Sequence, residues 1–77
     1  MARLKRLEHE IIVPRHSLEY GLAPDRWCKQ HFGPEWDIFN NPQGRWKKFW
    51  AGREAPNCYR WCFADERDLA WFALRWS

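Results

Sequence analysis

Cysteine and histidine are the side chains of this sequence best suited to chemistry, and their spacing decides what they can do. Cys28, His31, Cys58 and Cys62 offer the atom types of a zinc site. On one extended strand, however, Cys58 and Cys62 would have Cα atoms about 13 Å apart, too far to share a tetrahedral ion. Neither pair forms the usual two-cysteine knuckle. We expect no metal and three free thiols. Cys28 and His31 stand three apart with Asp25 close by, so a thiol–imidazole pair can be drawn. Nothing beside it supplies an oxyanion hole or a substrate cleft. His9, His16 and His31 are expected to pack or to face solvent. Asp65 and Asp68 suit the start of a helix, and the four glycines stand apart as turn residues, forming no phosphate loop. The expectation is a protein that is not an enzyme and carries no cofactor.

Recognition chemistry is better represented. The 77 residues carry a formal charge of +3 and seven tryptophans, with aromatics at 18%. That is more large rings than one small core is expected to hide, so some should line a binding surface. The segment GRWKKFWAGR interleaves basic and aromatic side chains, a composition that grips phosphates and stacks bases. Arg45, Trp46, Lys47, Lys48 and Trp50 would carry single-stranded nucleic-acid or RNA binding. On a strand, Trp46, Lys48 and Trp50 face one way and Lys47 and Phe49 the other, so at least one lysine must reach out from the core edge. Seven acidic residues (Glu8, Glu10, Asp25, Glu35, Asp65, Glu66 and Asp68) interrupt the basic field and dilute attraction to phosphate. Protein binding uses the same side chains without that difficulty, because Trp, Tyr and Arg dominate interface energetics. Trp36, Trp46, Trp50 and Trp71 are the candidate anchors, with Arg45, Arg53, Arg60 and Arg75 as their polar rim. A homodimer through Trp71 and Leu74 is a third reading. Trp61 and Trp76 are better placed as core rings, and Trp27 is undecided.

The elements that must position these residues follow from local pattern. Glu10–Val13, extended backward as far as Leu7, reads as a strand stopped by Pro14. Residues 15–21 read as a connection. A short helix over 23–32 has Pro24 and Asp25 in its first turn and stops at Gly33-Pro34. Trp36–Phe39 and Arg45–Ala51 read as a hairpin joined by the turn-forming Asn40, Asn41, Pro42, Gln43 and Gly44. Cys58–Phe63 is a further strand, with Tyr59, Trp61 and Phe63 on its core face. Asp65 caps a last helix running from Glu66 to Arg75 or Trp76, with Leu69, Phe72, Ala73 and Trp76 as its apolar stripe. A chain of 9.5 kDa exposes roughly 5,000 Å² and has room for one core. The expected architecture is therefore a single α+β domain over 1–77. Its small antiparallel sheet has about three to four strands, with two helices packed on one face.

No apolar run reaches the ~20 residues of a membrane helix, and the start MARLKRLEHEIIVP lacks a signal peptide's apolar stretch. A cytoplasmic setting is expected. HFGPEWDIF, the spaced Trp46 and Trp50, YRWCF and the closing DERDLAWFALRW resemble small uncharacterised tryptophan-rich proteins of tailed bacteriophages. The likeness is carried mainly by residues 31–39 and 59–76. It implies a viral accessory protein acting inside a bacterium, one that inhibits or redirects a host or defence complex. It implies no catalytic residue. The function expected is thus a protein-binding inhibitor or adaptor that acts sterically on a bacterial protein or protein–nucleic-acid complex.

Overall fold

The computed structural model describes residues 7–14 and 22–76. Five elements follow one another: β1 (His9–Pro14), α1 (Leu22–Phe32), β2 (Trp46–Trp50), β3 (Cys58–Phe63) and α2 (Glu66–Trp76). The strands form an antiparallel sheet in the order β1-β3-β2, with both helices on one face, as the α+β expectation has it. The connection read over 15–21 and the basic residues Arg3, Lys5 and Arg6 lie outside the described residues. Among the described residues no helix is long and apolar enough to cross a membrane.

Alternation along the central strand sets the layers. Tyr59, Trp61 and Phe63 point to the helices, and register places Trp50, Lys48 and Trp46 beside them from β2. Val13, Ile11 and His9 stand beside the same three residues from β1. The core is Val13, Trp46, Trp61 and Phe63 from the sheet, Cys28 and Phe32 from α1, and Phe72 from α2. Its rings are in direct contact. Trp46 stacks on Trp61 at 6.2 Å between centroids, and Phe72 lies 4.9 Å from Trp61 and 5.2 Å from Phe63. A ring of this size removes about 150–250 Å² from water, a gross gain of about 4–6 kcal/mol each. Few residues can therefore make a sufficient core.

Both helices begin and end where their sequences place the signals. Asp65 Oδ1 accepts the Arg67 N–H at 2.8 Å, and its carbonyl accepts from Asp68 and Leu69. Gly33 follows α1 at φ 85°, and its N–H donates to the Lys29 carbonyl at 3.1 Å. Phe72 is buried, and Leu69 and Trp76 from the predicted stripe pack against the core.

The strand expected over Trp36–Phe39 is absent. Asp37 and Asn41 form an isolated bridge, and the chain between them is a turn. The Asp37 carboxylate causes it by accepting the N–H groups of Phe39 at 2.8 Å and Asn40 at 3.0 Å, which diverts them from any ladder. Two boundaries also move. β1 starts at His9 and runs through Pro14, which is tolerable on an edge strand, and Arg45 and Ala51 fall just outside β2.

Candidate functional site

Trp71 is the centre of the most developed surface. It projects from α2 into the seam with α1, its ring 5.3 Å from Trp27, 4.8 Å from His31 and 5.6 Å from Phe32. Three rings of α1 fix its orientation, yet 48% of it stays exposed, and Leu74 one turn on is 88% exposed. Two of the four arginines expected at the rim lie toward opposite ends of α2. Arg45 forks onto Asp68 with bonds of 3.0 Å from Nε and 2.7 Å from Nη2, and its guanidinium sits 5.2 Å from the Phe32 ring. Arg75 lies over Trp76 at 4.1 Å. Asp68, Trp71 and Arg75 recur at helical spacing, so Trp71, Arg75 and the Asp68-bound Arg45, three members of the expected interface set, share one side of α2. An aromatic plate held from below, with an aliphatic neighbour and oriented guanidiniums, can bury apolar area without ordering many rotamers.

The other candidates disperse. Trp50, 54% exposed, meets Tyr59 at 5.3 Å and lines a small open recess of about 210 Å³ with Ala51, Arg53 and Glu54. Arg60 lies on the opposite sheet face between two carboxylates, 3.5 Å from Glu10 and in direct contact with Glu54. Its guanidinium holds the Glu54 carboxyl below the usual range, through a hydrogen bond first and charge second. Trp36 is half-buried, and its indole N–H donates to the Pro42 carbonyl at 3.1 Å. Trp46 leaves both candidate sets. It is fully enclosed, its Nε1–H donates to the Gly33 carbonyl at 2.9 Å, and it can touch no partner in this fold.

Both lysines of GRWKKFWAGR, like Arg45, are engaged internally. Lys48 is the lysine reaching from the core edge, with Nζ 3.4 Å from Asp25 Oδ1 and 5.1 Å from the Tyr59 ring. Lys47 reaches Glu35 at 3.3 Å, and the same carboxylate accepts the Lys48 N–H at 2.9 Å. Three of the segment's four charges, Arg45, Lys47 and Lys48, already meet a carboxylate, and the exposed Arg53 is the one left to solvent.

The thiols sit apart. Cys28 is buried in the core, and burial, then Asp25 and Glu35, push its pKa up. Cys62 is buried on the opposite face beside Glu10, and burial and then that carboxylate push it up to about 11. Both are held as unreactive thiols. Among the described residues no group of three or more His, Cys, Asp or Glu could hold a metal ion.

Two features escaped the sequence reading. His31 bridges Trp27 and Trp71, an arrangement foreshadowed only by its spacing of four from Trp27. Phe39, placed in a strand by its apolar neighbours, is 89% exposed at a loop tip. Asp37 two residues before it, followed by Asn40-Asn41-Pro42, was the available signal, because an Asx turn starts there. The chain matches no family model, and comparison with curated proteins and with solved structures gives no match.

Proposed function

We propose that this chain is a protein-binding module whose interface is centred on Trp71 and Leu74 of α2, acting as an inhibitor or adaptor by occupying a partner's surface. The observation that carries this reading is Trp71 itself, half-exposed and held by Trp27, His31 and Phe32. A stable interface needs about 800 Å² per partner, which a molecule of this size can supply. The internal pairing of Arg45, Lys47 and Lys48 favours a protein over a nucleic acid as the partner. The resemblance to tailed-phage proteins points to a bacterial protein or protein–nucleic-acid complex.

The test is a pull-down from bacterial lysate with the wild-type chain, Trp71→Ala and Leu74→Asp, each with matched circular dichroism. The expected result is a partner retained by the wild type and lost from both variants. Retention of the same proteins by all three would remove the surface from consideration. Oligonucleotide binding that falls steeply with salt and is damaged by Lys47→Ala would instead favour direct nucleic-acid recognition.

A further inference from the structure

Residues 34–44 form a braced finger, and what it presents is apolar. Trp36 N–H bonds to the Trp46 carbonyl at 2.8 Å, tying the finger to β2. Asp37 and Asn41 exchange backbone bonds of 3.1 and 2.9 Å. The Asn41 side-chain amide donates to the Pro34 carbonyl at 2.9 Å and the Glu35 carbonyl at 3.2 Å. Gly44 packs so closely that a Cβ there would lie 2.5 Å from the Trp36 Cα. At the tip, Ile38 and Phe39 are 52% and 89% exposed. A tip tied down from both sides avoids most of the ordering cost that a flexible loop meets on binding.

We infer that this finger inserts Phe39, with Ile38 beside it, into an apolar pocket with a basic rim on a partner protein. Charge selects that occupant. Segment 34–44 contains no Lys or Arg, within a chain of net charge +3, and with Glu35 paired to Lys47 the carboxylate left at the tip is Asp37. A finger with no cation of its own offers phosphates and anionic lipid headgroups no attraction, whereas membrane-inserting elements flank their apolar residues with cations. The Asp37 carboxylate, half-buried at the base of the tip with one oxygen accepting from Phe39 and Asn40, has its second oxygen to offer a cation on the pocket's rim. The base of the finger adjoins the proposed surface. Only Gly33 separates it from Phe32, on which both Trp71 and Arg45 rest. The inference extends the Trp71 reading to a two-part interface, a plate and a plug on the same partner, and in that respect rests on it.

The experiment replaces Phe39, or in a second variant Leu74, by p-benzoylphenylalanine in the full chain and irradiates each in bacterial lysate. Both are expected to cross-link to one protein, the Phe39 adduct lying on apolar residues next to Lys or Arg. Adding Asp37→Ala should lower the Phe39 yield about fivefold by loosening the tip, with the Leu74 yield unchanged. Asp37→Asn, which keeps an oxygen acceptor but not the charge that meets the basic rim, should restore only part of it. An adduct from Leu74 alone overturns the finger and leaves the Trp71 surface standing. A Phe39 adduct on an apolar, basic-rimmed segment with none from Leu74 supports the finger and removes the surface. Phe39 adducts to lipid, nucleic acid or a second copy of the chain, a yield indifferent to Asp37→Ala, or no adduct from either position each overturn it.

Discussion

Trp46 and Trp71 carry the same side chain, and their surroundings assign them opposite work. Trp46 is enclosed by the sheet, α1 and the Gly33 carbonyl, so Trp46→Ala leaves a cavity and an unmatched acceptor. We expect a loss of about 3–5 kcal/mol in a urea denaturation curve, enough to unfold a domain of this size. Trp71→Ala removes one half-exposed ring and should cost about 1–2 kcal/mol while leaving the fold intact. Equal losses from the two would contradict this division. The cysteines separate in the same way. With its thiol at about 11, native Cys62 is ionised in about one molecule in a thousand at pH 8, and Cys28 is still less ionised. Thiol labelling of native protein should therefore reach Cys58 first, and Cys28 only at the rate of unfolding. Fast native labelling of Cys28 would show that the core opens readily.

At the scale of elements, the finger depends on one carboxylate. Hydrogen bonds from the Asn40 and then the Phe39 backbone hold the Asp37 carboxyl below its ordinary value of 3.8. A lowered folded value means that this contribution is fully present above the unfolded value and is lost as pH falls through the folded one. The amide resonances of Phe39 and Asn40 should thus be constant from neutral pH down to about 4 and shift below it, while core amides hold. In Asp37→Ala the same resonances should not titrate. Gly44→Ala is the steric counterpart. The new methyl meets Trp36 backbone, which cannot rotate away, and we expect a loss of about 1–3 kcal/mol with faster hydrogen exchange at Trp36 and Asn41. β3 and α2 were legible because their signals are local: strict alternation in CYRWCF, and a cap, dipole charges and a 3.6-residue stripe in DERDLAWFALRW. The expected hairpin failed because strand propensity in Trp36–Phe39 competes with a side-chain turn at Asp37. A pattern of apolar residues does not weigh that competition.

For the whole molecule, composition limits the outcome and tertiary pairing decides it. The basic segment reads as a nucleic-acid footprint while its cations are counted as free. In the fold, Arg45, Lys47 and Lys48 find Asp68, Glu35 and Asp25 from 23, 12 and 23 residues away. Lys48→Ala should therefore act on stability, by about 1 kcal/mol because the nearly buried Asp25 keeps Lys29 at 2.9 Å, and not on oligonucleotide affinity at low salt. A drop in oligonucleotide affinity with unchanged stability would reverse that assignment. The sequence by itself determined the α+β class, the boundaries of β3 and α2, the inward face of Tyr59, Trp61 and Phe63, and the need for a lysine to leave the core edge. These depend on periodicity and capping, which act within a few residues. Only the tertiary structure decided which tryptophan is enclosed, which arginine is already paired, and that Phe39 stands at a braced tip. Those are properties of what lies opposite a side chain, and in this chain the opposing groups come from elements distant in sequence.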